Sequence, residues 1–216
     1  MSYDIPYTAQ PKDGLHSPAY HKFYENFFVD SMGLTRHEVD LDFLEALTPQ
    51  ETELAKDLIR RNLKLRYVHI IEGVATLQDH DAIPELKDML AHETDLSRKL
   101  TIAGTLWKLD KDSVFPEYLQ QMAKSDNDSL RVAHIHQIAW LGDKRAINLL
   151  IDILEGGYGF ARHLSLSMLN AIENKKVYIG SELPHSEKYY ISRKDDDVFM
   201  EKLVKNLNEW YNKIAA

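Results

Sequence analysis

Three segments decide the fold: LQDHDAIPELKDML (77–90), LDKDSVFPEYLQQM (109–122) and LGDKRAINLLIDIL (141–154). They start 32 residues apart, and their apolar residues fall into columns. Leu77, Leu109 and Leu141 share one column, and Ile83, Phe115 and Ile147 share another. Leu86, Tyr118 and Leu150 follow, then Leu90, Met122 and Leu154. Pro84 and Pro116 coincide, with Asn148 in third place. A fixed period of this length marks stacked supersecondary units, each too small to bury its own apolar face.

Within each unit the spacing predicts two helices joined by a short turn. First helices are expected over 66–78, 96–109, 129–141 and 159–173, and second helices over 82–92, 113–124 and 144–155. The turns hold His80-Asp81, Lys111-Asp112 and Gly142-Asp143-Lys144. Such short turns leave the paired helices antiparallel and in contact. Pro84 and Pro116 sit near the starts of second helices, where a missing N–H costs nothing.

Upstream, residues 1–15 carry Pro6, Pro11 and Gly14 without periodicity, which predicts an extended arm. Ser17-Pro18 opens a helix, with serine as N-cap and proline in the first turn. Behind it Tyr20, Phe23, Tyr24, Phe27 and Phe28 make one helical face, and Gly33 is expected to end the helix. That face either covers the open end of the repeat stack or presents an aromatic surface to a partner. Val39 to Leu44 leads into a short helix. Thr48-Pro49-Gln50-Glu51 is a capping box for a helix reaching Leu63, with Leu54, Leu58, Ile59 and Leu63 as its apolar stripe.

An arginine opens each first helix (Arg66, Arg98, Arg131, Arg162), and Asp79, Asp112 and Asp143 sit in the turns. With the Leu-Gly-Asp-x-x-Ala-Ile run at 141–147, these positions resemble the HEAT-like repeats, of phycobilisome-lyase type, in bacterial alpha-solenoids. The resemblance covers residues 50–174. It implies an all-α fold, a right-handed alpha-alpha superhelix of armadillo or HEAT-like type, with an N-terminal helical cover. It also implies polar ladders in which the turn aspartates meet the helix arginines of neighbouring units. Arg131 lies ten residues before its leucine, against eleven for Arg66 and Arg98, so the ladder is expected to be imperfect there. The expected division is 1–47 as arm and covering helix, and 48–216 as solenoid. Residues 175–194 are expected to be an insertion, a hairpin or a long loop, with β-prone runs at 177–179 and 189–191. Residues 195–214 are expected to form a closing helix with Phe199, Leu203, Leu207, Trp210 and Ile214 as its stripe.

The composition narrows function by exclusion. Cysteine is absent, so disulfides, thiolate metal sites and cysteine nucleophiles are excluded. The first fourteen residues lack the apolar core of a secretory signal, and no apolar run has membrane-spanning length, so a cytoplasmic protein is expected. The net charge is −8, with eight acidic and three basic residues before Thr48 contributing −5 of it. Such a chain repels phosphate backbones, so nucleic acid is not an expected partner.

No catalytic motif stands out among the ten histidines. His134 and His136 are two apart on a helix and point to different faces. His134 shares the column of Ile70 and Ile102, which predicts a semi-buried side chain. The only His-Glu pairs are His37-Glu38 and His92-Glu93, in neither the number nor the positions of the di-iron deoxyhypusine hydroxylases that share this repeat. Gly156-Gly157-Tyr158-Gly159 lacks the Lys-Ser/Thr of a phosphate loop and reads as a helix end and turn. No cofactor or metal is expected.

In solenoids the second helices line the concave face. Their polar columns here hold Glu85 with Glu117, and Asp88 with Gln120 and Asp152, flanked by His92 and Gln121. Trp140 shares its column with Thr76 and Lys108, which predicts an outward-facing binding anchor. Trp107 falls with Ala75 and Ala139 and reads as core. The candidate partner-binding residues are therefore Glu85, Asp88, His92, Glu117, Gln121, Trp140 and Asp152, for a basic protein. The chain is expected to be a monomer or weak dimer. The function expected is a non-catalytic protein-binding module, an adaptor or an immunity-type partner. The alternative is an enzyme or accessory subunit related to the phycobilin lyases.

Overall fold

Helices form where the capping signals stand. In the computed structural model, residues 3–12, 14–30, 41–111, 114–156 and 159–173 are described, with Lys205 and Glu209 as two further helical positions. The described residues are all-helical, with nine α-helices and no strand. They fall into two compact units, Met1–Ser113 and Val114–Ala216, so position 47/48 lies inside the first.

In the first unit, α1 (Pro18–Tyr24) starts on Ser17, whose hydroxyl accepts the Tyr20 N–H. It runs on as a π-turn over Glu25–Val29, closed by Asp30 N–H on the Glu25 carbonyl at 2.7 Å. The helix thus ends before Gly33, which lies outside the described residues. Tyr20, Phe23, Phe27 and Phe28 are buried, so this face is core and not a free aromatic surface. Next, α2 (Pro49–Asn62) has both hydrogen bonds of its capping box. Then come α3 (Val68–Thr76), α4 (Ile83–His92) and α5 (Leu96–Asp110). Helix α1 packs on α2, α2 on α3, α3 on α5 and α4 on α5. Gly73 in α3 lets the Phe27 ring approach: a Cβ there would stand 2.7 Å from a ring carbon.

The arm is held by specific bonds. Asp4 N–H donates to Asn62 Oδ1 at 2.7 Å, and Asn62 Nδ2 donates to the Asp4 carbonyl at 3.1 Å. The Tyr20 hydroxyl donates to the Ala9 carbonyl, and Tyr3 pairs with His69 at 3.1 Å. Buried His69 has its pKa lowered, because burial disfavours its charged form.

In the second unit, α6 (Phe115–Ala123) is followed by α7 (Asp128–His134), which continues as a 3-10 helix over Ile135–Leu141. Then come α8 (Arg145–Gly156) and α9 (Gly159–Glu173). First helices α7 and α9 lie side by side, as do second helices α6 and α8. The leucine column is buried at Leu77, Leu109 and Leu141. In the Ile83 column Phe115 and Ile147 are fully buried, while Ile83 is half-buried. His134 is buried where Ile70 and Ile102 are buried in the earlier repeats, and Trp107 is buried as core.

The polar ladder differs from the expected one. Asp79 is paired with Arg60 at 2.9 Å, and Asp143 with Arg145 at 2.6 Å. The helix arginines instead serve the ends of second helices. Arg66 and Arg98 both reach Glu93, just past α4. Arg131 donates to the carbonyls of Ala123 and Gly156, and Arg162 to that of Leu154. Geometry explains this: arginine and aspartate lie at opposite ends of a first helix, on the order of 20 Å apart at 1.5 Å per residue. The orphan carbonyls and negative dipole end of a second helix lie at the arginine's own end. Asp112, the His37-Glu38 pair, Gly157-Tyr158, the 175–194 insertion and most of the 195–214 segment lie outside the described residues.

Candidate functional site

In the first unit, α4 turns Leu86 and Met89 inward and leaves Glu85, Asp88 and His92 exposed along one stripe. Glu85 has its carboxyl pKa raised by partial burial and then by the adjacent Asp88 charge. The His92 Nδ1–H donates to the Asp88 carbonyl at 2.9 Å, with Asp88 Oδ1 3.5 Å away. Three of the expected contact residues thus form one acidic strip with a histidine at its end.

Glu93 was not among the expected functional residues, and it organises this end of the unit. Its Oε2 accepts from Arg66 at 3.1 Å and Arg98 at 2.9 Å, while Oε1 accepts the N–H groups of Thr94 and Asp95. The Arg98 hydrogen bond, with backbone donation from Asp95, holds its pKa at about 2 despite burial. Its partners occupy both oxygens, so the His92-Glu93 pair is half structural clamp and half surface residue. The sequence signal for this role was a glutamate placed between two repeat arginines. Among the described residues no group of three or more His, Asp or Glu is arranged to hold a metal ion. No helix among them is long and apolar enough to cross a membrane.

In the second unit, α6 presents Pro116, Glu117 and Gln120 on one face. Arg145, Asn148 and Leu149 of α8 stand across from them, and Leu141 closes the space into a pocket of about 260 Å³. Glu117 was an expected contact residue; Arg145 and Asn148 were not. Arg145 grips Asp143 through Nε at 2.9–3.0 Å and Nη2 at 2.6 Å. Gln121 is exposed beside the pocket residues of α6.

Two expectations change. Trp140 is half-buried, stacked on Phe115 with centroids 6.0 Å apart and flanked edge-on by His136 at 5.6 Å. The cause is the switch to 3-10 winding at Ile135, which adds about 20° per residue, roughly 100° by Trp140. Ile135, Ile138 and Leu141 then align at i+3 and stay buried, while the tryptophan turns onto α6. Asp152 is also half-buried and not a free rim carboxylate. Burial raises its pKa against the pull of Lys124, and its Oδ2 is buried without a hydrogen bond.

The chain matches no protein-family model, no curated protein and no solved structure.

Proposed function

We propose that the chain is a HEAT-like solenoid acting as a non-catalytic protein-binding module, of the adaptor or immunity type, for a basic partner. One observation carries this reading. The exposed polar stripes of second helices are acidic at the same repeat position, Glu85 in the first unit and Glu117 in the second. On α4 the stripe also holds Asp88, and the preceding turn holds Asp81, whose side chain is 86% exposed. Charges of this kind steer association and select partners by sign. The test is site-specific photo-cross-linking from Gln121 in the native host. Capture of one basic protein, weakened by salt, supports the reading; a stoichiometric small molecule retained by the purified protein overturns it.

A second reading, an enzyme or lyase-type accessory subunit, draws on buried polar side chains in the second unit. His134 and Gln137 are buried where the preceding repeat has Ile102 and Thr105. A ligand-dependent change in the His134 imidazole resonances would favour this reading over the first.

A further inference from the structure

We infer that the pocket between α6 and α8 receives a single lysine side chain of the partner protein. The inference rests on the protein-binding reading above and assigns that reading a place and a chemistry.

Size is the first ground. About 260 Å³ lies below the roughly 300–1,000 Å³ of small-molecule sites and suits one side chain. Lining is the second. Pro116, Leu141 and Leu149 give apolar wall for a four-carbon stem, and Glu117, Gln120 and Asn148 carry acceptor oxygens. An ammonium group has three donors and no acceptor, so it can use a carboxylate and two amide carbonyls together. Charge is the third. Arg145 is held in a forked ion pair on Asp143, so that pair is internally neutral. Glu117, exposed at the mouth, makes no ion pair among the described residues and supplies the remaining formal charge of the wall. An anionic group entering here would meet that carboxylate, whereas a lysine neutralises it. A guanidinium would have to lie beside that of Arg145, which disfavours arginine.

The inference is tested by NMR of the ¹⁵N-labelled full chain, following the side-chain amides of Gln120 and Asn148. The probes are acetylated pentapeptides Gly-Gly-X-Gly-Gly-amide, with X as lysine, arginine or the uncharged isostere norleucine. Saturable shifts are expected for the lysine peptide, with a Kd on the order of 1 mM and binding at least about tenfold weaker for norleucine. Glu117→Gln should lose about the same factor with an otherwise unchanged spectrum, since Glu117 is exposed. Equal shifts from lysine and norleucine, tighter binding of the arginine peptide, or unmoved amides would overturn the inference. Cross-linking separates this failure from that of the broader reading. A partner captured equally by wild type and Glu117→Gln removes the lysine pocket and leaves the module; no partner captured by wild type removes the module.

Discussion

The Glu51 carboxylate accepts the Ser17 backbone N–H at 2.6 Å, so the third residue of α2 also closes the N-terminus of α1. The same carboxylate accepts the Ser17 hydroxyl at 3.0 Å and the Thr48 N–H at 2.9 Å. Two helix starts far apart in sequence are thereby joined through one buried charge. Glu51→Ala removes the shared acceptor from the Ser17 and Thr48 donors at both helix starts and is expected to cost about 1–3 kcal/mol by urea denaturation. Glu51→Gln, which keeps one acceptor, should cost about half as much. Equal losses for the two variants would show that the neutral acceptor contributes nothing and that the ionised carboxylate carries the whole effect.

Acid should loosen the first unit in two stages. His69 has a pKa lowered from 6.5 by burial, so below 6.5 the unfolded chain takes up a proton that the folded chain resists. Stability then falls as the pH drops below that value. Burial would raise Glu51, but hydrogen bonds from Ser17 and Thr48 outweigh it and hold the pKa at about 2. Glu93 is held at about 2 by Arg98. These carboxylates contribute fully above their unfolded value of 4.5, and the contribution is lost between 4.5 and about 2. Denaturation midpoints measured from pH 8 to 2 should fall gently first and steeply below 4.5. A Glu93→Gln variant should flatten part of the second stage.

Gly73 is where the aromatic helix meets the repeats. Alanine is the better helix former by about 1 kcal/mol. Its Cβ would nonetheless enter the Phe27 ring, which is buried and packed on Phe23 at 4.9 Å. Overpacking of this kind costs about 1–3 kcal/mol, so Gly73→Ala should destabilise despite the propensity gain. The double variant with Phe27→Leu should recover part of the loss, and thermal melts of the pair would show it.

Arg131 is a fully buried cation, 2% exposed, bonded to Asp128 and to the last turns of α6 and α8. Removing it leaves carbonyls and a carboxylate without their donor. Arg131→Ala should cost about 3–5 kcal/mol. Arg131→Lys should recover little of that, because an ammonium lacks the planar fork. Faster amide exchange along 115–156 is the measurement; unchanged exchange would show the bonds to be incidental.

Trp140 now carries the opposite expectation from an exposed anchor. Stacked on Phe115, its removal to alanine should cost about 1–3 kcal/mol and leave binding of a basic partner unaltered. Calorimetry with the variant, alone and with its captured partner, separates the two effects.

Much of the helix inventory was legible because it rests on local rules. Ser17-Pro18 and Thr48-Pro49 act within one helical turn, and the leucine column needs only a period. The candidate contact residues on α4 and α6 were legible for the same reason: a buried stripe fixes which side chains face out. The turn aspartates misled, since the recurrence of an arginine and a turn aspartate in each repeat says nothing about which ends of neighbouring helices stack.

The sequence by itself determined where helices begin, which faces they bury, and that Glu85, Asp88, Glu117 and Gln121 stand exposed. These follow from capping and from a 3.6-residue period, both short-range. Tertiary packing alone decided that Glu51 joins α1 to α2, that Glu93 is gripped by two arginines, and that Arg145 and Asn148 share a pocket with Glu117. It also decided the 3-10 winding that turns Trp140 onto Phe115. Those outcomes depend on which polar groups meet once apolar faces have docked, and no local rule encodes such meetings between residues far apart in the chain.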